Sequence, residues 1–575
     1  MPRRRGLVTA VLLATGVAIW VGRAWVRGHS TLPESATLEL PFAEPVPTSS
    51  FVIRPDQGPT PTAAEALAAR LAALAASFEK RRMSPIPVGL VEFDVEGLSA
   101  AIGVILAGVG DAAQVSIHIR DLRTGHVLFD DFGDTPLNPA SNQKLLTSAA
   151  ALELLGPEYT FATRILRDDT SLYLIGEGDP TLQIDDLRGL AIAVAPALDL
   201  SGLTRVVYDD SAFSSRRLAP GYDPAGPGLA YEAESSALAV GYNNVEVIAW
   251  PNRKTRRIEV ATNPATAAIV IDNRAKIGRR RSLDVRTRER DGDTIVELRG
   301  TLPLRTPPAI VRRRIHDPAR VSASIFVHEL ADLTASLPLP IERGVAPANA
   351  QELVSHESES LAEVLDRGLA YSNNFIAEQV LRTLAWRMTG EPGDWTAGED
   401  ILRGYWSALG NDPEGIVIEN GSGLSRSGRL TTTGLVDLLA MAARGAGPGH
   451  SLIDALPVAG EPGTLRARLR ISGKRVRAKT GTLNDVSGLT GVITTEDGTP
   501  QIAFSILINA HDVARLDAPV RRAIEDRIVT TTLFALDHYE ARISGLVPPQ
   551  TPSTISDARP RATWREAGLE APARP

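Results

Sequence analysis

Between residues 165 and 318 the hydrophobic period of the sequence changes. Short runs such as SLYLIGEGDP, TRVVYDDSAF, VEVIAW, RIEVATN and TIVELRGTLPL alternate apolar and polar residues and are broken by turn residues, the pattern of half-buried strands. The flanks read differently. Before the block, QVSIHIRDLRTGHVLFDDFGD (114–134) alternates about a Thr-Gly turn as a hairpin does, and PASNQKLLTSAAALELLG (139–156) reads as a helix. After it, helical spacing returns in SASIFVHELADLTASL (322–337), ESLAEVLDRGLA (359–370), NFIAEQVLRTLAWRM (374–388) and TTGLVDLLAMAARG (432–445). A strand VRAKTG, a hairpin turning at Glu496-Asp497-Gly498 and a last helix near 518–541 follow. Elements of one kind thus stand on both sides of elements of another. The economical organisation is one α/β (α+β) domain, residues 97–164 and 319–541, interrupted by a mostly β insert of one or two small domains, residues 165–318. A chain of 575 residues exceeds what one hydrophobic core usually supports, in keeping with such a division.

The N-terminus speaks to location. MPRRR precedes the uncharged run from Gly6 to Gly22, close to the length needed to cross a hydrocarbon core, so residues 1–27 are expected to act as an export signal. Arg23 and Trp25 crowd the small-residue cleavage site, which favours an uncleaved signal-anchor over a cleaved peptide. The bulk of the chain is then expected outside the cytoplasm, in the periplasm, tied to the cytoplasmic (inner) membrane by residues 6–22, or secreted if that segment is cut. Residues 28–96 read as a flexible tether followed by an amphipathic helix from Ala63, and 542–575 as a disordered Pro-rich tail. A formal charge of −7 gives no general attraction to nucleic acid. The basic clusters at 252–257, 279–281 and 312–314 read as solvated faces or strand edges. Cysteine is absent, which excludes disulfides, thiolate metal sites and thiol nucleophiles.

Ser141 and Lys144 are three residues apart, so on a helix they are neighbours, about 5–6 Å between Cβ atoms. A serine hydroxyl attacks only once a base takes its proton. A lysine is that base only if burial or a second cation lowers its pKa well below ~10.4. The apolar LLTSAAALELLG after Lys144 supplies dry surroundings. Ser-x-x-Lys alone is weak, since about one or two copies arise by chance in a chain of this size. Ser77-Phe78-Glu79-Lys80 is such a copy, its lysine set among charges at a helix end. Two further motifs sharpen the case. Tyr371-Ser372-Asn373-Asn374 joins two amphipathic helices and offers a hydroxyl for proton relay and an amide for a substrate backbone. Lys479-Thr480-Gly481-Thr482 falls on a predicted strand, with Lys479 and Gly481 on one face. The lysine suits a carboxylate and serves as second cation, while the glycine admits an extended substrate. The Thr482 N–H, with that of Ser141, could form an oxyanion hole.

Taken in order, the three resemble the Ser-x-x-Lys, Ser-x-Asn and Lys-Thr-Gly set of penicillin-binding proteins and serine β-lactamases. The first two serines lie 231 residues apart, and 107 separate Ser372 from Lys479. So long a first interval resembles the class C low-molecular-mass penicillin-binding proteins, the D-alanyl-D-alanine carboxypeptidase/endopeptidase family, rather than single-domain β-lactamases. Stretches such as LYLIGEGDPTL (172–182), ALAVGYNN (237–244), ENGSGLSR (419–426) and VRAKTGTLNDVSGLTG (476–491) look like family signatures in family order, over about 97–541. Asn420 stands where the family usually places Asp before Gly-Ser-Gly-Leu-Ser, which puts a charge role there in doubt. The membrane anchor is a second departure.

The resemblance implies a penicillin-binding-protein/β-lactamase-like transpeptidase fold and a serine DD-peptidase, acting on D-Ala-D-Xaa bonds of peptidoglycan peptides through an acyl-enzyme on Ser141. Lys144 would be the base, Ser372 the relay to the leaving amine and Asn374 the group that orients the peptide. Lys479, with Thr480 and Thr482, would take the terminal carboxylate, and Gly481 would give the substrate room. β-Lactam antibiotics would be covalent inhibitors, and no metal or organic cofactor is required. A β-lactamase would need a rapid deacylating base, which the sequence does not assign. A silent wall-binding module would show a broken Ser141, Lys144 or Lys479, and none is broken. Neither a G-x-S-x-G elbow nor H-E-x-x-H is present.

Overall fold

A computed structural model describes residues 62–82, 93–197, 202–336, 338–444 and 452–543. The expected export segment, the expected tether up to residue 61 and the expected tail beyond 543 lie outside the described residues. Among the described residues no helix is long and apolar enough to cross a membrane.

Helix α1 (Ala63–Arg82) lays Phe78 fully into the core, with Leu67, Leu71 and Leu74 packed beside it. Helix α2 (Val95–Leu106) starts at Asp94, whose carboxylate accepts the Gly97 N–H at 2.9 Å. Strands β1 (Ala113–Asp121) and β2 (Val127–Asp131) form the expected first hairpin. A 3₁₀ turn over Ala140–Asn142 then runs into α3 (Gln143–Leu155). Nearly every residue of α3 is buried, the polar Gln143, Lys144, Thr147 and Ser148 included.

The insert opens with β3 (Ala162–Arg167), β4 (Ser171–Gly176), α4 (Ile184–Val194) and β5 (Arg205–Asp209). A purely β portion follows, β6 (Asn244–Asn252), β7 (Arg257–Asn263), β8 (Ile269–Asn273), β9 (Lys276–Ile277), β10 (Asp284–Arg290), β11 (Asp293–Arg299), β12 (Thr301–Leu302) and β13 (Ala309–Arg314). Helix α5 (Pro318–Thr334) comes next, with Asp317 as its N-cap and Pro318 at its first turn, then β14 (Ile341–Arg343) and β15 (Gln351–Glu357). The five strands β14-β5-β4-β3-β15 make one sheet, in which β15 pairs antiparallel with β3. Residues of α5 share one apolar core with α4 and these strands. The expected boundaries of 165 and 318 therefore move to about 162 and 357. A sheet whose first strand pairs with its last closes only after β15, and helical spacing alone had assigned α5 to the wrong side.

The chain returns through α6 (Leu361–Ala370), α7 (Asn374–Thr389), α8 (Trp395–Ala408) and α9 (Thr432–Arg444). Strands β16 (Val476–Thr482), β17 (Val486–Thr494) and β18 (Pro500–Ala510) complete an antiparallel sheet of order β16-β17-β18-β1-β2. Its first and last segments come from opposite ends of the chain. Helices α2 and α10 (Ala518–Ile543) bury one face of it, and α9 packs on the other. The basic cluster at 312–314 is not wholly solvated: Arg314 is buried, and donates to the Asp223 and Pro224 carbonyls.

Candidate active site

Ser141 sits on the 3₁₀ turn that starts α3, so its hydroxyl lies at a helix N-terminus, where developing negative charge is favoured. The turn is held from both sides. Asn138 accepts the Ala140 N–H at 2.8 Å and donates to the Ser425 and Arg426 carbonyls. Ala140 itself is left-handed, φ 46°, a conformation that costs energy and persists only where surroundings impose it.

Lys144 follows one turn later, 1% exposed. Its Nζ lies 3.0 Å from Ser141 Oγ, 2.7 Å from Asn374 Oδ1 and 2.7 Å from the Ser422 carbonyl oxygen. Two of these partners accept only, and the third is a hydroxyl. A neutral amine has two hydrogens and one lone pair, so it fills this setting with the lone pair toward Ser141. Burial pushes the amine down to about 7, against the opposing pull of the Glu378 charge.

The loop 371–374 owes its shape to Asn373, the N-cap of α7, which accepts the Ile376 N–H. Capping puts Asn374 at the first helical position, and Ser372 before it is left-handed, φ 54°. Asn374 spends its oxygen on Lys144 and its Nδ2 on the Tyr231 carbonyl, 2.8 Å. Ser372 Oγ takes a hydrogen bond from Lys479 Nζ at 2.8 Å.

Lys479 lies on β16, wholly buried, and also donates to the Thr480 carbonyl at 2.6 Å. Burial pushes its amine well down, and repulsion from Lys144 adds to this. Gly481 shares its face, and a Cβ there would lie 2.7 Å from the Pro139 oxygen. Only a glycine lets β16 lie this close to the turn that carries Ser141. Strand β16 is an edge strand, and its Ala478 N–H donates outward to the Pro457 carbonyl. By the two-residue alternation of a strand, Thr480 and Thr482 present their N–H groups to that same open edge. Thr480 is half-buried and Thr482 exposed.

Thus Ser141, Lys144, Ser372, Asn374, Lys479, Thr480, Gly481 and Thr482 come together from the start of α3, the turn into α7 and β16. The chance copy does not join them: Ser77 and Lys80 lie on α1, and Lys80 is exposed.

Four contributors escaped the sequence reading. Glu378 is 1% exposed on α7 and accepts from Tyr222 OH, Trp395 Nε1 and the N–H groups of Gly421 and Ser422. Tyr222 and Tyr231 come from the insert, and Ser422 from the loop before α9. The sequence alone does not mark Glu378: Asn374, Glu378 and Arg382 recur every four residues on α7, but Gln379, Thr383 and Arg387 stand among them, and only the fold shows Glu378 and Arg382 buried. Asn420 is buried as well, with Nδ2 on the Pro220 carbonyl at 2.8 Å and Oδ1 on the Gly423 N–H at 2.8 Å. It shapes the loop that offers Ser422 to Lys144.

The profile of the D-Ala-D-Ala carboxypeptidase 3 (S13) family matches residues 98–532. The D-alanyl-D-alanine carboxypeptidase of Actinomadura sp. (strain R39) is 33% identical over 444 residues, covering 73% of this chain and 81% of the relative. The D-alanyl-D-alanine carboxypeptidase DacB of Haemophilus influenzae is 24% identical over 438 residues, 72% of this chain and 89% of the relative. Among solved structures, penicillin binding protein 4 (dacB) from Haemophilus influenzae superposes with a TM-score of 0.65 at 21% identity, over 76% of this chain and 99% of that one. The same protein complexed with a β-lactam gives 0.61 at 20% identity, with the same coverage.

Proposed function

This chain belongs to the D-Ala-D-Ala carboxypeptidase 3 (S13) family, a penicillin-binding serine DD-carboxypeptidase, and from that premise we propose which of its residues perform the reaction. The observation that carries the assignment is the three-point setting of Lys144 Nζ, with two carbonyl oxygens and the Ser141 hydroxyl around it.

Lys144 takes the proton of Ser141, whose Oγ attacks the carbonyl carbon of a D-Ala-D-Xaa bond. The N–H groups of Ser141 and Thr482 receive the oxyanion, which is why the outward edge of β16 matters. As the C–N bond breaks, Ser372 passes a proton to the leaving amine. Asn374, fixed between Lys144 and Tyr231, orients the peptide, and Gly481 leaves it room. Lys479, with Thr480 and Thr482, meets the terminal carboxylate. Two buried amines in one site repel each other, and an arriving anion offsets this by favouring the charged form of Lys479. Water then hydrolyses the ester. A free D-Ala leaving group makes the enzyme a carboxypeptidase, and a cross-linked one an endopeptidase. A β-lactam acylates the same serine, in line with the β-lactam complex of the Haemophilus influenzae relative. The reaction is proposed to run outside the cytoplasm, on peptidoglycan, with residues 6–22 as the membrane tie; the basic MPRRR followed by an uncharged run supports this.

The test is to incubate the protein with a fluorescent penicillin and compare wild type with Ser141→Ala and Ser77→Ala. Label is expected on wild type and Ser77→Ala and none on Ser141→Ala. Label surviving in Ser141→Ala would end the assignment.

A further inference from the structure

Glu378 performs none of the steps above, yet it lies behind the base. Its Oε1 accepts from the Ser422 N–H at 3.0 Å and Tyr222 OH at 3.1 Å, its Oε2 from the Gly421 N–H at 2.9 Å and Trp395 Nε1 at 2.8 Å. Four donors converge on one buried carboxylate, which makes no ion pair among the described residues. Ser422 thereby becomes a clamp. Its N–H rests on Glu378, and its carbonyl receives Lys144 Nζ at 2.7 Å. Resting on the reading of Lys144 as base, we propose that Glu378 is the positioning residue of acylation. Through the backbone of Ser422 it fixes where the Lys144 amine sits, and its negative charge counterbalances the dry surroundings of that amine.

A carboxylate that served only to hold the loop would act through its hydrogen bonds alone. Here a charge effect is expected as well, because Glu378 acts on the Lys144 amine in opposition to burial. The other groups around Lys144 carry no negative charge. They are Ser141 on α3, Asn374 on α7, Ser422, and Lys479 on β16, whose own amine feels Lys144. Beyond Glu378 stand Tyr222, acted on by Glu232, and Arg382 one turn further along α7. The charge and the hydrogen bonds of Glu378 can therefore be separated by substitution.

The experiment follows acylation of the full chain by fluorescent penicillin from about pH 5.5 to about pH 9, with a melting curve for each protein. In Glu378→Gln the amine loses its counter-charge, so the acidic limb of the rate profile should move down by about one pH unit. The amide nitrogen also faces donors it cannot accept from, and the plateau should fall about tenfold. In Glu378→Asp the charge stays and the grip on Ser422 retracts, so the limb should hold while the plateau drops. A Glu378→Gln profile lowered but not shifted would reduce the residue to a strut and overturn the inference. If Glu378→Gln does not fold, Glu378→Asp decides: a wild-type plateau, or a displaced limb, overturns it. Wild-type protein that takes no label at any pH defeats the peptidase assignment itself, a result separate from an unmoved limb.

Discussion

Lys144 has to be buried to act as a base, and that burial has a cost that can be read in stability. Its amine is lowered from 10.5 to about 7 in the folded chain. Between those values the unfolded chain holds a proton that the folded chain has released, so this group makes stability rise with pH across that window. Below pH 7 folding carries the full penalty, on the order of a few kcal/mol. Lys144→Met should abolish acylation. Its melting temperature relative to wild type should be highest below pH 7 and lose that advantage steadily toward pH 10. A difference flat in pH would contradict the buried amine. With Lys144 as the proposed base, kcat/KM for a D-Ala-D-Ala peptide should climb through about pH 7 as Lys144 loses its proton. At Asn420 the amide donates to Pro220 and accepts from Gly423, a double role no carboxylate fills. Asn420→Asp should cost about 1–3 kcal/mol by denaturant melts, since a buried carboxylate would face the Pro220 oxygen.

At the level of elements, the site depends on how near β16 lies to the start of α3. Gly481→Ala would put a methyl 2.7 Å from the Pro139 oxygen and 3.2 Å from Ala140 Cβ, so β16 and the turn that carries Ser141 must move apart. The chain should fold with a near-normal melt while penicillin labelling slows by about 10²-fold, a displacement of about 1 Å being enough for that. Labelling at the wild-type rate would mean that β16 does not set the position of Ser141. The same close approaches decide which elements could be read from sequence. The two hairpins, α6 and α7 have a periodicity of their own and were legible, and α3 showed as the apolar run after Lys144. Helix α8 was not: Gly398 and Gly404 lower its helix propensity, yet Cβ atoms there would lie 2.6 Å from Leu381 and 2.6 Å from Leu71, so packing requires what propensity disfavours. Helix α4 escaped because it interrupts a run of strands. The three motifs were legible because their chemistry is local to each. Glu378 was not, because a lone acid on a helix looks the same in sequence whether it faces water or the base.

At the level of the whole molecule, the insert is also a wall of the active site. Its segment 211–243 supplies Tyr222 to Glu378 and the Tyr231 carbonyl to Asn374, and Asn420, Gln379 and Arg382 tie it down through Pro220, Ser214, Ser235 and Ser236. Fully buried on α7, Arg382 lies 4.5 Å from the ring centroids of both Phe213 and Trp395. It donates to the carbonyls of Ser214 and Ser235 in the insert and of Gly393 before α8. Burial lowers its guanidinium to about 9, so the site holds this cation for its hydrogen-bond geometry at some cost in solvation. Arg382→Ala would leave three buried carbonyls without that donor and should destabilise the fold by about 3–5 kcal/mol. Amide exchange should quicken first in 211–243, and acylation should slow because Asn374 and Glu378 lose partners on that wall. The matched control is Arg188→Ala, which breaks an ion pair to Glu329 between α4 and α5. Arg188 is exposed and its pair is screened by solvent, so exchange in 211–243 and the acylation rate should both stay at wild-type values. If Arg382→Ala speeds exchange in α4 and α5 as much as in 211–243, the insert loosens as one body, and Arg382 does not hold that wall in particular.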